Sequence, residues 1–306
     1  DIDFEAIGGY ILNKYSYSNF IFTQGIRIEK NEFDEDKTTF NSSGEINSKK
    51  TGRTKDSPTN TNYELTANYL FDEDSSVFFS YNRVKRNPSL TEFSSWWEEK
   101  SPKKEAQTVD TFELGTKTLI ENIYLAGSVF YIAGDKEIMY DPDSESGAMG
   151  GNSFYNLNGK TERIGLELAS EQYFDKLTLR ENISYIQPKV TSGKFDGKEF
   201  AGVSRWNVNI GATYNFTEKL LLNTDMYYSS KSYASDDFAN RFGKENSYVT
   251  FDTNIKYKVN DELEIYGGVK NLFDKEYATF VTASEYGTYY GPADGRSYYA
   301  GFRYNF

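Results

Sequence analysis

The stretch RWNVNIGATYNF, residues 205–216, decides the fold. Trp206, Val208, Ile210, Ala212, Tyr214 and Phe216 alternate with Asn207, Asn209, Gly211, Thr213 and Asn215. A period of two puts the first set on one face of a strand and the second on the other. The second face is too polar for a second core. The same alternation recurs outward from this stretch, in YVTFDTNIKYKV (248–259), LLLNTDMYY (220–228), RIGLEL (163–168), ELEIYGGVK (262–270) and ELTANYL (64–70). The chain ends on it too, in RSYYAGFRYNF (296–306), where Tyr298, Ala300, Phe302, Tyr304 and Phe306 share a face. What that greasy face meets is either the core of a sandwich or lipid.

Composition favours lipid. Aromatics make up 17% of the 306 residues, with 26 Tyr and 23 Phe, yet mean hydropathy is −0.69. No apolar run approaches the roughly 18–20 residues of a membrane helix. A membrane barrel shows lipid only every second residue, so it can be polar on average. The chain has no Cys, which removes disulfides and thiolate metal sites, and no His. Without His there is no Ser-His or Cys-His catalytic pair and no His-ligated zinc or haem. A net charge of −12 disfavours nucleic acid as a partner. The first residue, Asp1, follows no start Met or signal segment, so the chain is expected to be mature, processed or a fragment.

The pattern predicts about thirteen strands, near residues 1–13, 18–33, 60–71, 75–87, 105–119, 122–140, 152–173, 175–190, 199–216, 218–235, 246–259, 262–281 and 293–306. Their connections alternate in length. Tight ones fall near Lys14–Tyr17, Asp72–Asp74, Glu121, Asp175, Thr217–Glu218 and Asn260–Asp261, and long ones near 34–59, 88–104, 141–151, 191–198, 236–245 and 282–292. Short turns at one end and long loops at the other describe an up-and-down outer-membrane barrel better than a Greek-key sandwich. The long loops are rich in Gly, Ser, Asp, Lys and Pro, which argues for mobility more than for a packed lid. One position resists the pattern: in LTLRENISY, Glu181 joins Leu177, Leu179, Ile183 and Tyr185 on the lipid side. Either a bulge shifts the register or Glu181 lies near an interface.

Four segments resemble the TonB-dependent outer-membrane receptors of the siderophore-receptor type. SYNRVKRNPSLTEF (80–93) is similar to a mid-barrel motif through Arg86, Pro88 and Glu92, and FELGTK (112–117) to a Glu-Leu-Gly strand through Glu113, Leu114 and Gly115. GGVKNLFDKEY (267–277) resembles the penultimate strand at Asn271, Leu272, Phe273, Asp274 and Tyr277. GRSYYAGFRYNF (295–306) resembles the closing strand at Gly295, Arg296, Tyr298, Tyr304 and Phe306. SPKKE (101–105) keeps only Pro102, Lys104 and Glu105 of the stretch that usually precedes the Glu-Leu-Gly strand.

The resemblance implies an all-β transmembrane antiparallel barrel with an N-terminal plug, a TonB box and about 22 strands. Residues 1–306 would then form a partial barrel domain, roughly strands ten to twenty-two, with the plug and the first strands lying outside this chain. The last strand would end in the periplasm, so the six long loops would face outside. The terminal Phe306 resembles the signal read by barrel-assembly machinery, and the final strand is expected to be an unpaired edge unless another segment supplies its partner.

Candidate ligand contacts are Trp96 and Trp97 in the 88–104 loop, the Tyr286, Tyr289 and Tyr290 group, Tyr140 and Tyr233 near strand tops, and Arg83 as a lumen-facing cation. Aromatic faces with nearby cations suit a planar or anionic metal chelate. The plainer alternative is packing at the membrane boundary. For Arg86 and Arg296 the resemblance favours a structural role. The acidic runs EFDED (32–36) and DPDSES (141–146) lack EF-hand spacing and read as solvated loop charge, so no metal site is expected.

The function implied by the resemblance is energised uptake of a ferric siderophore or similar chelate, with the TonB complex, lipid and lipopolysaccharide as partners. No bound cofactor is expected, and haem is disfavoured as cargo by the absence of His. Cobalamin or another nutrient, and a passive porin, are the alternatives. Membrane hydrolases are disfavoured because their familiar mechanisms use a His base.

Overall fold

The computed structural model describes residues 2–35, 37–50, 58–89, 92, 104–141 and 153–306. The chain is built from strands. In order these are β1 (Ile2–Tyr17), β2 (Phe20–Glu35), β3 (Lys37–Phe40), β4 (Ile46–Lys50), β5 (Thr59–Leu70), β6 (Ser76–Arg86) and β7 (Gln107–Ile120). Then come β8 (Ile123–Asp135), β9 (Ile138–Asp141), β10 (Ser153–Asn156), β11 (Lys160–Tyr173), β12 (Leu177–Val190), β13 (Trp206–Asn215) and β14 (Leu220–Ser229). The last are β15 (Ser232–Tyr233), β16 (Lys244–Glu245), β17 (Tyr248–Lys258), β18 (Leu263–Lys270), β19 (Ala278–Ser284), β20 (Gly287–Pro292) and β21 (Ser297–Tyr304).

Thirteen of them make one antiparallel up-and-down sheet in the order β1, β2, β5, β6, β7, β8, β11, β12, β13, β14, β17, β18, β21. Its two outer strands are not joined to each other, so the described sheet is an open barrel wall. The remaining strands form four hairpins, β3–β4, β9–β10, β15–β16 and β19–β20. All four rise from the same end of the sheet, between residues that the sequence pattern assigns to long loops. The opposite end carries short turns at 18–19, 71–75, 121–122, 174–176, 216–219 and 259–262.

The cross-strand register assigns the faces. Trp206, Ile210 and Tyr214 of β13 pair with Tyr185, Glu181 and Leu177 of β12, and Ile265 of β18 pairs with Phe302 of β21. This face carries two aromatic belts. Near the short turns, Phe20 contacts Phe22 at 5.7 Å and Tyr69 at 4.8 Å, and Tyr214 contacts Phe216 at 4.9 Å. Toward the long loops, Tyr81 meets Phe112 at 4.9 Å and Tyr185 meets Trp206 at 4.6 Å. Trp206 and Tyr214 are about 20 Å apart along the axis, at ~3.3 Å per residue and a tilt of about 40°. Aromatic girdles flanking an apolar band are what a lipid-facing wall needs.

The other face is concave and lines the pockets described below. Aromatic rings lie across glycines there: Phe78 over Gly115, Phe130 over Gly165, Tyr266 over Gly301 and Tyr299 over Gly268. At Gly115 a Cβ would sit 2.5 Å from the Phe78 ring, so only glycine leaves room for the ring to lie flat.

The strand count agrees with the pattern, but several boundaries move. The first turn lies at 18–19 rather than at Lys14–Tyr17, because Tyr15 and Tyr17 continue the outward face and pair with Phe22 and Phe20. The predicted segments 122–140, 152–173, 218–235 and 262–281 each fuse a wall strand with a loop hairpin. The break after β8 comes at Lys136 and the break after β18 at Asn271, both with left-handed backbone (φ 55° and 49°). Apolar and aromatic residues resume within a few positions of both breaks, in EIMY (137–140) and EYATF (276–280), so the pattern runs the predicted strands on through them. The segment 199–216 shortens to β13, starting at Trp206, and residues 199–205 belong to a loop.

Candidate functional site at the loop end of the wall

Four loops, 136–159, 191–205, 230–247 and 271–296, gather above β8 to β21. Met139, Leu157, Val190, Ala201 and Phe238 form a buried cluster, with Tyr155, Phe195, Phe200 and Tyr233 packed against it. Phe238 meets Phe195 at 6.1 Å and Phe200 at 5.9 Å. Burying Leu, Val and Phe side chains is worth about 1.5–3 kcal/mol each, enough to order short loops. The expected mobility is therefore corrected for the described parts of these loops, which are packed.

Polar side chains fix the loop backbones. The Asp237 carboxylate accepts the N–H groups of Arg241 (2.8 Å) and Phe242 (3.0 Å). Asn240, also left-handed at φ 55°, accepts the Glu199 N–H at 2.8 Å and donates to the Glu199 carbonyl at 3.0 Å. Asp236 accepts the Ala283 N–H at 2.8 Å, and Ser235 N–H donates to the Val281 carbonyl at 2.8 Å, which ties β19 to the third loop. Charges are paired within the cluster. Arg163 forks onto Glu137 at 2.7 and 2.8 Å and stacks 4.3 Å above Phe200. Glu199 receives Arg205 at 2.6 Å and Lys244 at 2.7 Å, and the Lys244 ammonium lies 5.0 Å from the Tyr233 ring centroid.

Beneath this cluster opens a cavity of about 950 Å³, walled by Phe130, Glu167, Ser184 and Ile186 of the concave face and by Tyr233, Glu245, Lys275 and Tyr290 of the loops. Tyr248 and Tyr277 stack at 4.4 Å in its wall. A second pocket of about 500 Å³ lies deeper, against Phe78, Glu113, Lys117, Ser128 and Asn182. Pockets of this size, with aromatic walls and a few polar groups, suit a small-molecule ligand. Among the described residues no cluster of three or more carboxylates is arranged to hold a metal ion.

The expected ligand contacts are dispersed. Tyr233 and Tyr290 line the cavity, and the Tyr290 hydroxyl reaches Glu245 at 3.5 Å. Tyr140 is half-buried against Phe154 (5.3 Å), and burial, with Asp236 nearby, pushes its hydroxyl above the usual phenol range. Tyr286 and Tyr289 point away at the tip of the β19–β20 hairpin, 98% and 77% exposed. Trp96 and Trp97 lie outside the described residues, as do the side chains of most of 32–36 and 141–146. Arg83 is a correction. It shares the outward face with Tyr81 and Phe79, and its guanidinium forks onto Asp110 at 2.7 and 2.8 Å, so it does not face the lumen.

The motif residues hold strand ends. Arg86 forks onto Glu92 at 2.6 and 3.1 Å across Pro88, and Glu92 also accepts the Ser89 N–H at 2.7 Å. Burial tends to raise the Glu92 carboxyl, but Arg86 and Ser89 hold it below the usual carboxylate range. Asn271 accepts the Lys275 N–H at 2.8 Å and returns its amide to the Lys275 carbonyl at 2.9 Å. Asp274 accepts the Arg296 N–H at 2.8 Å, close beside Gly295, while Phe273 packs edge-on to Phe251 at 5.2 Å. Glu113 faces the deeper pocket, whereas Tyr298 and Phe306 sit exposed on the outward face. Sequence inspection missed Glu137, Glu199, Arg163, Arg205 and Lys244, whose partners lie in other loops and leave no local signal.

A family model described as TonB dependent receptor-like, beta-barrel, matches residues 1–272. The chain belongs to this family, whose members are transporters of the Gram-negative outer membrane and not enzymes. A probable TonB-dependent siderophore receptor, PiuA of Acinetobacter baumannii, is 27% identical over 208 residues, covering 62% of this chain and 26% of the relative. Among solved structures, the ferric-catecholate import receptor Fiu from E. coli K12 superposes with a TM-score of 0.76 at 20% identity, over 100% of this chain and 45% of that one. The copper transporter OprC superposes at 0.81 with 16% identity, over 100% and 49%. The chain thus spans about half or less of the length of these relatives, and the likeness to these structures concerns the fold.

Proposed function

We propose that this chain is the C-terminal part of the barrel of an outer-membrane receptor that imports a ferric siderophore or similar metal chelate. The observation that carries the proposal is the roomy aromatic cavity at the loop end of a family barrel wall. A relative described as a probable siderophore receptor favours iron chelates over other nutrients. The missing wall strands and a plug with a TonB box would belong to the rest of the receptor, and the TonB complex would supply the energy. The chelate is cargo, not a resident cofactor. The aromatic belts would contact lipid and, on the outer leaflet, lipopolysaccharide.

The test is uptake of radiolabelled ferric chelates by iron-starved cells. Cells lacking the receptor gene should lose uptake of at least one chelate, and loss of TonB should abolish the same uptake. Retained iron uptake, together with lost uptake of a different nutrient, would overturn the proposal.

A further inference from the structure

The basic side chains drawn into the loop cluster are each held by a carboxylate of that cluster, with one positive charge left over where two of them share Glu199. Arg163 is neutralised by Glu137, and Arg205 and Lys244 share Glu199. The lining of the large cavity is different. It holds three carboxylates, Glu167, Glu245 and Glu276, against one ammonium, Lys275. None of these four takes part in an ion pair among the described residues. The rest of the polar side-chain lining is neutral, mostly hydroxyls such as Ser204, Ser229, Tyr248 and Tyr277, with the amides of Asn207 and Asn246. The deeper pocket shares Glu167 with it and adds Glu113 and Lys117, one charge of each sign. Together the two linings hold four carboxylates against two ammonium groups, and the excess of negative charge lies at the large cavity, among hydrogen-bonding hydroxyls.

We propose that the wall selects cargo by charge, admitting a ferric chelate that is neutral or cationic overall and disfavouring a polyanionic one. The inference rests on the siderophore function proposed above. The chemistry separates two ligand types. Three hydroxamates, each singly negative, balance ferric iron, whereas three catecholates, each doubly negative, leave a triply anionic complex. A focused field of one sign inside a concave low-dielectric wall repels ligands of the same sign. Hydroxamate and amide carbonyls require donors and no counter-ion, which Ser and Tyr hydroxyls provide.

Isothermal titration of the detergent-solubilised full receptor that contains this chain tests the proposal, with a ferric trihydroxamate and a ferric tris-catecholate as probes. The trihydroxamate should bind about tenfold or more tighter, with the gap narrowing as salt screens the field. The Glu245→Gln/Glu276→Gln variant should move the affinity ratio about tenfold toward the tris-catecholate, and Glu276→Gln alone, at an exposed position, should move it the same way. Tighter binding of the tris-catecholate by the unaltered receptor, or a ratio unmoved in both variants, would overturn charge selection while leaving the siderophore function standing. Binding of neither probe, with no ferric chelate taken up by cells, would overturn the function and this inference together.

Discussion

Glu181 sits where the alternation places it, on the outward face, and the register through β11, β12 and β13 is regular around it. The bulge alternative is therefore excluded. Ser170 donates a 2.6 Å hydrogen bond to its carboxylate, and the Gln172 amide lies 3.5 Å away. Glu181 pairs with Ile210, about 10 Å from each aromatic belt, so it lies midway across the apolar band and the expected interface position is corrected as well. Removing its charge should stabilise the wall by about 0–2 kcal/mol. Glu181→Gln is thus expected to raise the temperature at which the receptor loses its folded electrophoretic mobility, and a fall would contradict a lipid-facing carboxylate.

At Arg86, truncation to Ala should cost about 1–3 kcal/mol, because the half-buried Glu92 loses a charged partner. The sign of the pH effect follows from the lowered Glu92 carboxyl. Its contribution is complete above the ordinary carboxylate pKa of about 4.3 and is lost as pH falls through the lower folded value. The protection factor of the Ser89 amide, its exchange rate relative to the intrinsic rate at each pH, should be flat from neutral pH to about 5 and then fall below about 4.

At the scale of elements, strand existence and facing were legible because lipid and lumen impose opposite chemistry on alternate residues. What alternation could not mark is where a wall strand hands over to a loop hairpin, as at Lys136 and Asn271. Those breaks are made by a left-handed backbone and side-chain hydrogen bonds, between stretches that both read as strand. Asn271→Ala should accordingly cost about 1–3 kcal/mol, since it removes both bonds to Lys275 and places Ala at positive φ. Inside the wall, the ring-over-glycine pairs predict that Gly115→Ala displaces Phe78 and costs about 1–3 kcal/mol by overpacking. Thermal mobility-shift curves of both variants check these magnitudes, and an unchanged midpoint for Gly115→Ala would mean that the ring yields freely.

For the whole molecule, the buried apolar cluster lies in the loops, while the barrel wall keeps its apolar surface for lipid. Phe238→Ala should cost about 3–5 kcal/mol of local loop stability. Hydrogen exchange should then quicken across residues 191–205 and 230–247, while the wall strands stay protected; a drop in barrel stability of the same size would show that the two are one cooperative unit. The sequence by itself determined the strands, their faces and the alternation of short and long connections, because those follow from neighbours on the same strand. Only the tertiary structure decided that the loops pack, that Arg83 faces outward onto Asp110, and that Glu199 joins Arg205 to Lys244. Those depend on side chains brought together from distant strands and loops, and no periodicity records such contacts.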